Sequence, residues 1–207
     1  MCGGVYNTWE KPRQLSIVNG ESLVERTIRL LKENNIKDIY ISANNSMFDS
    51  LGVPILKHDN NFTSGINGTG YWVNAFYPTD EPVCYLLGDV FYSDEAIKKI
   101  VETETDSIEF FASAPPFANN YSKNWAEPFG FKVVDTNLFK DSIEKVKELF
   151  NNHMFNRHPI AWELWQVIKK TPLNEINYNN YCTINDYTCD IDEEKDIKII
   201  ENNLKKE

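Results

Sequence analysis

Apolar and polar positions change period repeatedly along this chain and divide it into alternating helical and extended segments. Glu21 to Asn35 carries apolar residues at helical spacing, Leu23, Ile28, Leu30 and Leu31 among them, and predicts an amphipathic helix. Lys37 to Ala43 (KDIYISA) reads as a compact strand, and Val53 to Leu56 as a second short apolar run after the Gly52 turn signal. Residues 57 to 70 (KHDNNFTSGINGTG) are polar and rich in Gly and Asn, which predicts a loop, with a helix from Tyr71 to Tyr77 behind it. Val83 to Leu87, between Pro82 and Gly88, is a continuous apolar run of the kind found in a central buried strand. Ser93 then caps a helix to Glu102, and Asp94 and Glu95 suit the positive end of its dipole. Ile108 to Ala114 and Phe129 to Val134 predict further strands. Helices are expected from Asn137 or Asp141 to Asn151, from Pro159 to Lys169 and from Glu193 to Leu204.

Strand–helix alternation implies an α/β sandwich around a largely parallel sheet. At 207 residues, without repeats or long linkers, the chain reads as one domain. A formal net charge of −10 argues against generic nucleic-acid binding, since no excess of basic groups exists to neutralise a phosphate backbone. A small phosphorylated ligand remains compatible, provided a local basic cluster or a bound cation receives it. Cys2, Cys84, Cys182 and Cys189 lack zinc-like spacing, and no apolar run is long enough to cross a membrane. Reduced thiols in a cytoplasmic protein are the expectation, with Cys84 a small core residue.

Ligands of open α/β sheets bind at the carboxyl ends of strands, where Gly88-Asp89 would deliver a carboxylate. The competing reading is an ordinary strand-to-helix turn. In Asp190-Ile191-Asp192, alternation in an extended segment would point both carboxylates the same way; helix capping by Asp192 is the alternative. Carboxylates from remote strand ends can together hold Mg²⁺, which takes oxygen ligands. Gly3-Gly4 followed by Lys11 and Arg13 forms a candidate phosphate cradle in an otherwise acidic chain. Gly68-Thr69-Gly70 would let a nucleobase lie against the backbone, or is a plain turn.

The order of these elements resembles the nucleotidyltransferases that make nucleotide-sugars and related activated compounds. Gly3-Gly4 stands where that family has its Gly-rich loop. PRQLSIVNGESLVERTIRLL is similar to its Pro-Lys-x-Leu element, with Arg13 in place of the lysine. LLGDV resembles the metal-binding segment, Gly68-Thr69-Gly70 the base-holding loop, and CDIDEEKDIKII the family's close. The resemblance implies a GT-A-like, three-layer α/β/α sandwich with a mostly parallel mixed sheet. It divides the domain into a nucleotide-binding half (1–105) and an acceptor-binding half with a closing helix (106–207). It makes Asp89 and Asp192 the Mg²⁺ ligands, with Asp190 the weaker alternative to Asp192. It assigns Gly3, Gly4, Arg13, Gly68 and Thr69 to the nucleotide, and Arg13 and Lys11 to catalysis. Lys123 and Glu127 fall in the segment expected to meet the acceptor. The implied reaction joins a nucleoside monophosphate, from a nucleoside triphosphate, to a phosphorylated small molecule. A non-catalytic nucleotide-sugar-binding regulator is one alternative. A glycosyltransferase is another, disfavoured because Asp89-Val90-Phe91 lacks an Asp-x-Asp. The family's first strand precedes its glycines, whereas only Met1 and Cys2 precede Gly3, so that strand is expected to be missing or truncated.

His58 is a candidate ligand contact, and His158 a residue at a helix start. Trp162, Leu164 and Trp165 would either pack the carboxy-terminal half or build a homodimer surface.

Overall fold

The computed structural model describes residues 11–58, 62, 70–114, 126–176 and 178–205. A 3₁₀ turn at Arg13–Leu15 leads into a minimal antiparallel hairpin of β1 (Ile17–Val18) and β2 (Glu21–Ser22). Asn19 and Gly20 make its tip with φ of 49° and 87°, the left-handed pair that a tight hairpin requires. Helix α1 (Leu23–Glu33) starts from a capping box: Glu25 N–H donates to the Ser22 hydroxyl, and Ser22 N–H donates to the Glu25 carboxylate.

The expected strands at 37–43 and 53–56 contract to β3 (Ile41–Ser42) and β4 (Ile55–Leu56), a parallel pair. Pairing exists only where the two runs face each other, and Tyr40 stays exposed. The helix expected at 71–77 is a single 3₁₀ turn, Trp72–Ala75. Tyr71 gives it no side-chain cap, and the Phe76 ring leaves the helical path to pack on Tyr85, Phe131 and Phe139.

There follow β5 (Val83–Leu86), β6 (Val90–Phe91), α2 (Asp94–Glu102), β7 (Ile108–Ala112), β8 (Pro128–Val133) and α3 (Thr136–Asn151). The chain ends with α4 (Ala161–Lys169), β9 (Cys182–Thr183), β10 (Cys189–Asp190) and α5 (Glu194–Leu204). Ser93 caps α2 as expected, accepting from Ala96 N–H. Asp135 caps α3 by accepting from Leu138 N–H, so that helix begins ahead of both expected starts.

The main sheet has the order β5-β8-β7-β9. Strand β8 pairs antiparallel with both β5 and β7, so those two run the same way, and β9 is parallel to β7. The sheet is therefore mixed. This agrees with the mixed sheet expected: β5, β7 and β9 run one way, and β8, which returns beside its predecessor β7, is the antiparallel member. Side chains of the sheet enter two apolar clusters, and the register shift that skips Phe129 breaks the alternation on β8. Tyr85, Phe110, Phe131 and Val133 pack with Phe139, Trp162 and Trp165. Leu86, Phe111 and Phe129 pack with Leu30, Ile97, Ile100 and Ile200. Trp162 and Trp165 are 3% and 1% exposed, which makes them core residues and removes them from any dimer surface. Cys84, expected in the core, is exposed on β5, which ends the sheet among the described residues. No described helix is long and apolar enough to cross a membrane.

Candidate functional site

Three segments remote in sequence meet beyond the carboxyl end of β5. The strand's apolar run stops, and Gly88-Asp89 turns the chain into β6. Strand β10 lies antiparallel to β6, with Asp190 opposite Val90 and Cys189 opposite Phe91. Ile191 N–H continues the pairing by donating to the Asp89 carbonyl at 2.9 Å. Cys189 and Ile191 are buried, 4% and 0% exposed, so alternation turns the carboxylates of Asp190 and Asp192 to the other side.

The third segment arrives because β8 is antiparallel. Its first residue lies at the carboxyl ends of β5 and β7, where Leu87 N–H donates to Phe129 O at 2.9 Å and Ser113 N–H to Glu127 O at 2.8 Å. Glu127 N–H is held by the Ser113 hydroxyl at 2.7 Å. Oxygen atoms of Glu127, Asp190 and Asp192 all fall within 4.8 Å of one another. Glu127, only 7% exposed, anchors the buried end of this group, and Asp192 its exposed end.

Arg13 lies across the cluster. One terminal nitrogen donates to Asp192 Oδ1 at 2.5 Å and to Ile191 O at 3.0 Å, and the other to Asp89 Oδ2 at 3.2 Å. Its side chain is 10% exposed, against 19% for Asp89 and 43% for Asp192. The planar guanidinium thus spans both carboxylates expected to bind metal. The lower-dielectric setting strengthens these pairs relative to surface ones.

The loop bearing Asp192 is fixed from behind. Asp196, 2% exposed, accepts from the backbone N–H of Asp192 at 3.0 Å and of Glu193 at 2.9 Å. Asp196 therefore holds the start of α5, and Asp192 is not the helix cap. Its carboxylate is turned to the cluster instead.

Glu127, Asp190 and Asp192 are hard oxygen donors of the type that a Ca²⁺- or Mg²⁺-like cation takes, so the donor set fits a divalent ion. Asp89 joins this group through Arg13. Asp190 is gathered as closely as Asp192, and Glu127, expected to meet the acceptor, stands with the acidic group. Local sequence gives no signal for that placement except the Glu127-Pro128 step into a strand. Asp196 escaped the sequence reading, although an Asp in the first turn of a helix behind Asp-x-Asp is a recognisable capping signal.

Lys11 is exposed just ahead of Arg13. Gly3, Gly4, Gly68, Thr69 and Lys123, as well as the segment ahead of Gly3, lie outside the described residues. His58 is buried at 9% exposure. His158 Nε2 lies 3.0 Å from Gly70 O, and its ring packs between Phe62 and Phe150, which gives it a structural role. Comparison with protein-family models and with curated proteins finds no match to this chain.

Proposed function

We propose that this chain is a GT-A-like nucleotidyltransferase that transfers a nucleoside monophosphate from a triphosphate to a phosphorylated small molecule. One observation carries the reading: Glu127, Asp89, Asp190, Asp192 and Arg13 gather beyond the carboxyl end of β5. That rim is where open α/β sheets bind their ligands. Three strands running one way, with apolar clusters on both faces, support the three-layer α/β/α sandwich that belongs to the same proposal.

Asp190, Asp192 and Glu127, with Asp89 beside them, would hold Mg²⁺. Bound there, the ion supplies positive charge against the triphosphate oxygens. Arg13, with its five donors in a fork, binds triphosphate oxygens bidentately, and exposed Lys11 adds a mobile cation. An acceptor phosphate oxygen, already ionised at neutral pH, forms the new bond to the α-phosphorus as the bond to pyrophosphate breaks. The leaving pyrophosphate carries away the electron pair. Neither serine, cysteine nor histidine is needed, because alignment and charge neutralisation do the catalysis.

The test is a screen of CTP, UTP and dTTP against sugar phosphates and phosphorylated amino-alcohols, with Mg²⁺, for pyrophosphate release. Release that requires both substrates is the expected result. Nucleotide-sugar binding without turnover would replace the proposal with the regulatory reading. Hydrolysis of a nucleotide-sugar without pyrophosphate would replace it with the glycosyltransferase reading.

A further inference from the structure

Arg13 presents its two terminal nitrogens to different acids, 3.2 Å from Asp89 and 2.5 Å from Asp192. A cation bound by Asp192 in the same group would lie close to this guanidinium, and the two would compete for one carboxylate. Two positive charges a few ångströms apart repel each other, the more so in a setting shielded from water. A phosphate-like dianion removes that conflict, because it can take Arg13 bidentately and neutralise it.

We propose that Arg13 acts as a built-in counter-cation. It holds Asp89 and Asp192 while no ligand is bound, and it releases them when an anion with phosphate geometry takes the guanidinium. Divalent-cation binding and phosphate binding are then coupled in the same direction, each favouring the other by an equal factor. The metal alone binds weakly, and the site fills when cation and anion arrive together. This inference rests on the proposed cation role of the carboxylates. It adds the regulation of that site, and its test does not depend on turnover.

The test uses the full chain, stripped with EDTA, and titrates Mn²⁺ alone by electron paramagnetic resonance. Arg13→Gln should bind Mn²⁺ at least about tenfold more tightly than wild type, on the scale of one lost charge-assisted contact. Arg13→Lys, which keeps the charge without the fork, should fall between them. Unchanged or weaker Mn²⁺ binding by Arg13→Gln overturns the proposal. Should Arg13→Gln be unfolded without metal, refolding on Mn²⁺ addition supports the proposal and failure to refold overturns it.

A second arm uses sulfate at constant ionic strength, since it mimics phosphate and chelates Mn²⁺ only weakly. Sulfate should tighten Mn²⁺ binding to wild type and leave Arg13→Gln unmoved. An equal effect on both proteins overturns the coupling. Pyrophosphate release by wild type together with unaltered Mn²⁺ affinity in Arg13→Gln would sink this inference alone. Coupling without turnover on any substrate pair would sink the transferase reading alone.

Discussion

Gly130 leaves no room for a side chain between β8 and β5, and adding one methyl group there tests how tightly the two strands are held. Gly130 lies opposite Leu86 on β5 and Phe111 on β7. A Cβ at this position would stand 2.3 Å from the Tyr85 carbonyl oxygen, 3.1 Å from Leu86 Cδ2 and 3.3 Å from Leu86 Cα. Carbon and carbonyl oxygen approach comfortably only to about 3.3 Å, so the strands must separate by roughly 1 Å. The obstructing atom belongs to the backbone and cannot rotate away. Overpacking typically costs about 1–3 kcal/mol, and a backbone clash places Gly130→Ala near the top, at about 3 kcal/mol. For a chain of this size that lowers the melting temperature by about 6–12 °C. The assay is thermal unfolding followed by near-UV circular dichroism, with Gly52→Ala as control. Gly52 has φ of 70° and open space around it, so the control isolates left-handed backbone strain at about 1–2 kcal/mol. A melting temperature for Gly130→Ala within ~2 °C of wild type would refute the reasoning, as would an equal drop in Gly52→Ala.

Lys132 Nζ donates to the carbonyls of Ile100, Val101 and Thr103 at the end of α2, at 3.1, 2.9 and 2.5 Å. Lys132→Met should cost about 2–3 kcal/mol in urea unfolding, from lost charged hydrogen bonds and helix-end charge; an unshifted midpoint would count against this role. Asp196→Ala should weaken Mn²⁺ binding as well as stability, because the Asp192 amide loses its anchor; loss of stability at constant Mn²⁺ affinity would limit Asp196 to the helix. Ser22→Ala should cost about 1 kcal/mol at neutral pH. The Ser22 hydroxyl, then its amide, hold the Glu25 carboxyl below its ordinary value of 4.5. That contribution is complete above 4.5 and is lost as pH falls through the lower folded value, so the stability gap between wild type and Ser22→Ala should narrow on acidification, leaving the part due to the bond from Glu25 N–H to the Ser22 hydroxyl. A gap of the same size in acid as at neutral pH would exclude the Glu25 coupling.

Much of this architecture can be read in advance because local signals decide it. Apolar spacing places α1 within two residues at either end, the cap at Ser93 places α2, and the run from Val83 locates β5. Alternation around the buried Ile191 anticipates that Asp190 and Asp192 face the same way. Strand direction is another matter: the same alternation serves a parallel or an antiparallel neighbour, so nothing near Glu127 reveals that β8 enters at the rim. Arg13 lies 76 positions from Asp89 and 179 from Asp192. A pairing that long exists only once β10 has docked on β6. Strands β3 and β4 shrink for a similar reason, since their length is set by mutual overlap and not by their apolar runs.

The central claim is that carboxylates at this rim organise nucleotidyl transfer. The direct measurement is Mg²⁺-dependent pyrophosphate release by Asp89→Asn and Asp192→Asn, each checked for cooperative unfolding, against wild type on its best substrate pair. Both variants should fold and lose at least about 100-fold in turnover, the scale of a lost electrostatic contact to the transition state. Near-wild-type turnover in either folded variant would contradict the assignment of that carboxylate, and in both would contradict the site.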